Sequence, residues 1–259
     1  MGPRRRWRGP AAALLASAVL AGCGGAPDPV PGEVSGTVSP GAQRVSCAGS
    51  GPAVVLVHGL GDDASSAQWV DVHRALADRA RVCRYDRPGT GDSPVPSTAG
   101  RGADALDAEL DAVVRHAAVE SDVVLVAHSF GGYPARVYAD RHPERVAGLV
   151  LVDALDPSVG VVRGTGAGSL EDVPMAGERL DLRDVERAAA SVEILPGDPP
   201  VVVLSRGRGA SPAWSAGQDA LAALSPRSRS VVVDAGHQIP SEEPEAVVDA
   251  VEALLDELG

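Results

Sequence analysis

The fold of this chain is decided by the stretch DVVLVAHSFGGY, which occupies residues 122–133. Its first part, Asp122–Ala127, consists mostly of Val and Leu, as expected of a strand that is buried on both faces of a parallel sheet. A helical pattern follows over Tyr133–Asp140, so only a short turn separates the two elements. A strand, a tight turn and a helix in this order predict an α/β arrangement with Ser129 at the turn.

Ser129 has the sequence surroundings of a nucleophile. The residues two before and two after it, Ala127 and Gly131, are small, and a strained turn requires this because those positions nearly touch. The usual G-x-S-x-G motif reads A-x-S-x-G in this chain. The following helix would direct its N-terminal dipole at a developing oxyanion. The alternative interpretation is a glycine-rich turn that is shaped only for packing.

Short β-branched runs alternate with amphipathic stretches along the chain, which predicts a doubly wound α/β sheet. Two weaker runs, Val34–Val38 and Gln43–Cys47, are candidates for edge strands. The interval 157–198 breaks the alternation and is interpreted as a cap over the site. The stronger runs are Ala53–Val57, Arg81–Tyr85, Asp122–Ala127, Val146–Val152, Pro200–Leu204 and Ser230–Val233.

Two further segments carry candidate functional groups at the carboxyl ends of predicted strands, where α/β sheets bind their ligands. His237 follows the last run and precedes the last helical pattern, so it can accept the Ser129 proton as a general base. The turn His58–Gly61 follows the first strongly buried run. Backbone N–H groups of Leu60 and Phe130 would form an oxyanion hole.

Composition excludes several classes of protein. The chain has 259 residues and a formal net charge of −12, and all 23 of its basic residues are Arg. An acidic balance without a basic face argues against nucleic-acid binding, and the absence of Lys removes Lys nucleophiles. The length is sufficient for one large α/β domain or for two small ones.

The amino terminus has the pattern of an export signal. Four Arg residues within the first eight precede the apolar run Ala11–Ala21, which is too short to span a bilayer. The run ends in Leu20-Ala21-Gly22-Cys23, which resembles the bacterial lipobox. This resemblance implies a signal peptide over 1–22, lipidation of Cys23 and a flexible tether over 23–42. An ordinary secretory signal with an incidental Cys is the alternative.

Removal of the signal changes the charge and the expected location. Residues 1–22 contain four Arg and no acidic residue, so the mature charge is 19 − 35 = −16. Electrostatic attachment to an anionic membrane is therefore not expected, and the lipid on Cys23 would hold the protein. The expected location is the outer face of the bacterial cytoplasmic membrane.

Five motifs in order resemble the α/β-hydrolase superfamily over nearly all of residues 43–257. The resemblance implies a domain over 43–259 with about eight mostly parallel strands, flanking helices and a cap after strand six. It also implies a chain order of nucleophile, acid and base. The motifs are VHGLG at 57–61, YDRPGTGDS at 85–93, AHSFGG at 127–132, LVD at 151–153 and GH at 236–237.

The acid of the implied triad has three candidates. Many members of the superfamily place it after the seventh strand, but the segment that begins at Ser205 contains no Asp or Glu before Asp219. The alternative position in the superfamily is the end of the sixth strand, where Asp153 and Asp156 lie. We favour Asp153, then Asp156, then Asp219. A capping or turn role is the alternative for Asp153.

The remaining two cysteines are expected to pair. Cys47 and Cys83 lie on candidate strands that would be neighbours in such a sheet, and disulfide bonds persist in an exported protein. Two buried free thiols are the alternative. No His or Cys pair has the spacing of a zinc site, so no metal is expected, and no organic cofactor is implied.

The sequence therefore predicts a serine hydrolase that acts on carboxyl esters or related small-molecule acyl compounds through an acyl-enzyme. Ser129 is the nucleophile rather than the Asp of relatives that open epoxides or displace halide. A cofactor-free perhydrolase or haloperoxidase, or an aminopeptidase, could use the same triad. A non-catalytic binding module of the same fold is the alternative from a different class.

Overall fold

The computed structural model describes residues 30–118, 121–160 and 177–259. Its strands form one eight-stranded sheet. We number them β1 (Val34–Val38), β2 (Gln43–Ala48), β3 (Ala53–Val57), β4 (Arg81–Tyr85), β5 (Val123–His128), β6 (Val146–Val152), β7 (Val201–Arg206) and β8 (Ser228–Val233). The described helices are α1 (Ala67–Leu76), α2 (Ala103–Ala117), α3 (Gly132–Arg141), α4 (Leu182–Ala190), α5 (Pro212–Ala222), α6 (Ile239–Glu242) and α7 (Pro244–Leu258).

The strand order is β1-β2-β4-β3-β5-β6-β7-β8. Pairing is antiparallel between β1 and β2 and between β2 and β4, and it is parallel from β4 onward. Consequently the carboxyl ends of β3, β5, β6, β7 and β8 lie along one edge. The chain has the α/β-hydrolase fold, as the motifs predicted.

Two apolar layers enclose the central strands because their residues alternate between the faces. Val55 and Val57 of β3 pack in the layer that includes α2 and α3. Val54 and Leu56 of the same strand pack in the layer of α1 and α7. Both faces of β3 are therefore buried, which explains its continuous apolar run.

The predicted tether over 23–42 is wrong at its carboxyl end. Strand β1 lies inside that range and pairs with β2 through five residue pairs, from Val34 with Cys47 to Val38 with Gln43. The sheet therefore begins at Val34, and the prediction that Val34–Val38 forms an edge strand is confirmed. The predicted signal peptide 1–22 and Cys23 lie outside the described residues.

The predicted cap lies between β6 and β7. Its described parts are residues 157–160 and 177–198, and the second part contains helix α4. Residues 161–176 lie outside the described ranges. Leu182 and Val185 of α4 pack with Phe130 and Tyr133 at the start of α3, so this part of the cap lies close to the turn that carries Ser129.

Cys47 and Cys83 form the predicted disulfide bond. They occupy paired positions on the antiparallel strands β2 and β4, and both are buried. The bond therefore joins the antiparallel edge of the sheet to its parallel part. Among the helices of the described ranges, none is both long and apolar enough to cross a membrane.

Candidate active site

Ser129 lies at a strained turn between β5 and α3. Its φ is +53°, in the left-handed region that side chains rarely adopt. The neighbouring backbone explains the small residues of the motif. A Cβ on Gly131 would lie 2.4 Å from the carbonyl oxygen of Val57, and Ala127 is fully buried. The turn can form only because these positions carry little or no side chain.

His237 lies between Ser129 and Asp153, in the loop after β8. Its Nε2 is 2.9 Å from the Ser129 Oγ, and its Nδ1 is 2.6 Å from the Asp153 Oδ2. A carboxylate only accepts, so Nδ1 carries the proton and Nε2 accepts from the serine hydroxyl. The structure thus brings together the three residues that the sequence nominated, in a geometry suited to proton transfer.

Asp153 follows β6 directly and its side chain is 0% exposed. Its φ is +41°, and its backbone N–H donates to the Leu204 carbonyl oxygen on β7. Since β6 lies two strands from β8, this turn directs the carboxylate along the carboxyl edge of the sheet toward His237.

The other two acid candidates lie elsewhere. Asp156 is buried against Arg136, with its Oδ2 3.2 Å from Nη1, and its Oδ1 accepts from Ser158. Asp219 is exposed on α5. Neither has a hydrogen bond to His237 among those of the described residues, so only Asp153 has the geometry of the acid.

Two residues around Asp153 were not predicted. Its Oδ1 accepts from the Trp214 Nε1 at 2.7 Å and from the backbone N–H of Arg206 at 3.1 Å. The Arg206 Nε is 2.9 Å from Oδ2, close enough for an ion pair, although its N–H is not aligned for a hydrogen bond. Arg206 ends β7, where many relatives place the acid. Its position at the end of β7 was the one sequence feature that could have predicted its contact with the acid.

The oxyanion loop, His58–Gly61, lies against the nucleophile. A Cβ on Gly59 would lie 3.4 Å from the Ser129 Cβ. Leu60 packs against the cluster that contains Phe130, which immediately follows Ser129. The two residues predicted to supply backbone N–H groups therefore lie close to one another beside the serine, as two donors to one oxyanion must.

A buried ion pair holds this loop. Arg87 donates to the carbonyl oxygens of His58 and Gly59 at 2.7 and 2.6 Å. It also makes two hydrogen bonds to Glu178, which in turn accepts from the Gly61 N–H at 2.9 Å. Glu178 belongs to the predicted cap. Glu178 and Gly61 are far apart in the sequence, so no sequence pattern predicted their contact.

Two buried histidines beside the site are neutral. Burial and then the Arg87 charge lower the pKa of His58 well below its ordinary value. Burial and then the neighbouring His237 lower the pKa of His128 to about 4. The His128 Nε2 donates to the His237 carbonyl oxygen at 2.8 Å. These rings therefore support the backbone around the site as hydrogen-bonding groups without charge.

The site has the parts needed for acyl transfer: a hydroxyl paired with an imidazole, a carboxylate behind the imidazole, and backbone N–H groups near the serine. Within the described ranges, no group of three His, Cys, Asp or Glu side chains is arranged to hold a metal ion.

A family model for the alpha/beta hydrolase fold matches residues 52–173. Among solved structures, a thermophilic esterase from Thermogutta terrifontis superposes with a TM-score of 0.63 and 26% identity, covering 87% of this chain and 98% of the esterase. The match and the shared architecture support the alpha/beta hydrolase fold of this chain.

Curated proteins are similar in sequence to part of this chain. An uncharacterized protein of Mycobacterium tuberculosis is 34% identical over 155 residues, which cover 57% of this chain and 41% of that protein. The 2-hydroxy-6-oxo-2,4-heptadienoate hydrolase of Pseudomonas putida is 34% identical over 150 residues, covering 56% and 54%. The chain thus spans about half or less of these relatives.

Proposed function

We propose that this protein is a serine hydrolase that cleaves carboxyl esters through an acyl-enzyme. The observation that carries the proposal is the position of His237, within hydrogen-bond distance of both the Ser129 hydroxyl and the Asp153 carboxylate. This is the arrangement that makes a serine nucleophilic at neutral pH.

In the proposed reaction, the Ser129 Oγ attacks the acyl carbon while its proton passes to the His237 Nε2. The Asp153 carboxylate stabilises the imidazolium that forms. Backbone N–H groups of Leu60 and Phe130 donate to the oxyanion of the tetrahedral intermediate. His237 then returns the proton to the leaving alcohol, and the acyl group stays on Ser129.

Water completes the proposed cycle. His237 accepts a proton from the water, which attacks the acyl carbon, and the carboxylic acid leaves as Ser129 recovers its proton. The described part of the cap packs Leu182 and Val185 against Phe130 and Tyr133. These side chains are occupied by packing, so we propose small or medium acyl substrates rather than long lipid chains.

The test is labelling with a fluorophosphonate probe together with hydrolysis of esters of graded acyl length. We expect the wild type to be labelled and Ser129→Ala to stay unlabelled, with kcat lower by at least about 10³-fold. Ser191→Ala is the matched control, because Ser191 is exposed and its hydroxyl donates to the Ala188 carbonyl oxygen, one turn back in the same helix end. Labelling of Ser129→Ala, or an unlabelled but folded wild type, would contradict the proposal.

We also propose that Cys23 is lipidated and holds the hydrolase on the outer face of the bacterial cytoplasmic membrane. The lipobox supports this, and the disulfide bond is the kind that persists in oxidising compartments. Cells fed an alkyne palmitate should label the wild type but not Cys23→Ala. A wild-type protein that is released without lipid would instead support the ordinary secretory signal.

A further inference from the structure

The position of the acid raises a physical question. Asp153 is attached to β6, and its carboxylate is completely buried. A buried carboxylate is stable only when several donors satisfy it, and His237 supplies one hydrogen bond. The carboxylate of an Asp also rotates about its last side-chain bond, so donors on both oxygens are needed to keep Oδ2 facing His237.

Trp214, at the start of α5, contacts Asp153, His237 and Arg206. Its indole N–H donates to the Asp153 Oδ1 at 2.7 Å. Its ring meets the His237 ring edge to face, with centroids 5.6 Å apart and planes at 85°. The Arg206 guanidinium lies over the same ring at 3.8 Å from its centroid. One side chain therefore bridges the acid, the base and the nearby cation.

We propose that Trp214 is a positioning residue for the reaction, which keeps the Asp153 carboxylate turned toward His237 through its indole N–H. This inference rests on the proposed function. The stacked Arg206 fixes the indole plane, and its charge lies beside Oδ2. Without the indole N–H, Oδ1 keeps only the backbone donor of Arg206. The carboxylate is then held less firmly about its last side-chain bond, and the hydrogen bond between Oδ2 and the His237 Nδ1 weakens.

Two substitutions separate the indole N–H from the bulk of the ring. Trp214→Phe keeps an aromatic ring but removes the donor. Trp214→His keeps a ring N–H at nearly the same distance from the backbone, because Nε2 of His occupies the five-membered-ring position of Nε1 of Trp. The control is Tyr138→Phe, which removes another aromatic donor to a carboxylate, the 3.1 Å bond to Asp111.

The first readout is kinetic. We expect Trp214→Phe to lower kcat about 10- to 100-fold at unchanged KM, as misplacement of a catalytic group does. Trp214→His should recover most of this loss, and Tyr138→Phe should match the wild type. A wild-type kcat in Trp214→Phe, or a raised KM at unchanged kcat, would overturn the proposal.

The second readout does not need activity. The far-downfield proton resonance of the His237 Nδ1–H reports its bond to Asp153. This resonance should be lost in Trp214→Phe and retained in Trp214→His, and an unchanged resonance in both would overturn the proposal. If wild-type Ser129 resists the fluorophosphonate while the resonance follows this pattern, the positioning role stands and the proposed function fails.

A measurement on the intact indole covers the case in which Trp214→Phe does not fold. The Trp214 indole N–H resonance, identified by its disappearance in Trp214→His, should move when Asp153→Asn changes its acceptor. The same resonance should stay in place in Tyr138→Phe. An indole resonance that is indifferent to Asp153→Asn would overturn the proposal.

Discussion

The two sides of the site each place an arginine beside a buried carboxylate, but the pairs are connected differently. On the oxyanion side, Arg87 and Glu178 are 1% and 2% exposed and share two hydrogen bonds. On the acid side, Arg206 lies near Asp153 without an aligned side-chain hydrogen bond, and the Oδ2 of Asp153 accepts from His237.

This difference corresponds to two tasks. A carboxylate that supports a base must leave one oxygen available to the imidazole, so neutral or backbone donors satisfy its other oxygen. A carboxylate that only fixes a loop can be fully satisfied by an arginine, and its position then sets the backbone. We therefore expect changes on the acid side to affect rate and changes on the oxyanion side to affect both rate and stability.

The largest expected effect is on the acid side. Asp153→Asn should lower kcat by about 10³- to 10⁴-fold, because an amide in place of the carboxylate no longer selects the correct His237 tautomer. The stability of the fold should change far less than its rate. Steady-state kinetics and chemical unfolding measure the two quantities.

Asp156→Asn is the matched control, since Asp156 is a buried Asp three positions away that pairs with Arg136. It should lose stability and keep kcat. Equal losses of kcat in the two variants would show that the loop after β6, rather than the Asp153 carboxylate, carries the effect.

The next largest effect is expected from a substitution on the oxyanion side. Glu178→Ala leaves Arg87 buried without its counter-charge, so the free energy of unfolding should fall by about 3–5 kcal/mol. The Gly61 N–H also loses its acceptor, and the loop that holds Leu60 can shift. We expect kcat to fall about 10-fold or more, which is below the loss of a complete oxyanion donor.

Asp156→Ala provides the comparison, because Asp156 forms another buried pair, with Arg136, and neither of these side chains has a hydrogen bond to the oxyanion loop among those of the described residues. It should cost similar stability at unchanged kcat, measured at a temperature where both variants are folded. If Glu178→Ala also kept its kcat, the Arg87–Glu178 pair would contribute only to stability. The expectation that changes on the oxyanion side affect both rate and stability would then be wrong.

The smallest expected effect concerns pH and tests whether both sides depend on neutral histidines. The unfolded pKa of His is about 6.5, whereas burial lowers that of His128 to about 4. The unfolded chain therefore binds more protons between these values. The free energy of unfolding therefore has its full value, as far as His128 is concerned, above pH 6.5. As the pH falls toward 4, the lowered pKa of His128 reduces it by about 3 kcal/mol.

The measurement is the free energy of unfolding from pH 7 to pH 4.5 in the wild type and in His128→Gln. The variant should show a shallower decrease, since one proton-binding group is removed. His58→Gln should behave likewise on the oxyanion side, because burial also lowers its pKa. Identical slopes in all three proteins would contradict the neutral state of these rings. The charged or titrating groups that face His128 are His237, Asp153 and Arg206.

Local sequence was sufficient for the nucleophile turn. The apolar run, the small Ala127 and Gly131, and the following helical pattern are neighbours along the chain, so their pattern carries the geometry. The edge strand β1 was harder to predict. Its residues are mostly exposed, so it lacks the buried alternation that marks a strand, and it was included in the tether.

The choice among acids shows why the rest needed the structure. Asp153 and Asp156 are three residues apart, and the sequence does not tell which carboxylate faces a histidine 84 residues away from Asp153. The φ of +41° at Asp153 directs one carboxylate to the carboxyl edge of the sheet. Arg136 holds the other in the interior.

By itself, the sequence determined the doubly wound sheet, the serine turn and the histidine after the last strand, because each depends on residues close together in the chain. Tertiary structure alone decided which acid meets His237, that Trp214 holds it, and that Glu178 fixes the oxyanion loop. Those contacts join segments 61 to 117 residues apart. Their geometry depends on strand order and packing, which no short stretch of sequence specifies.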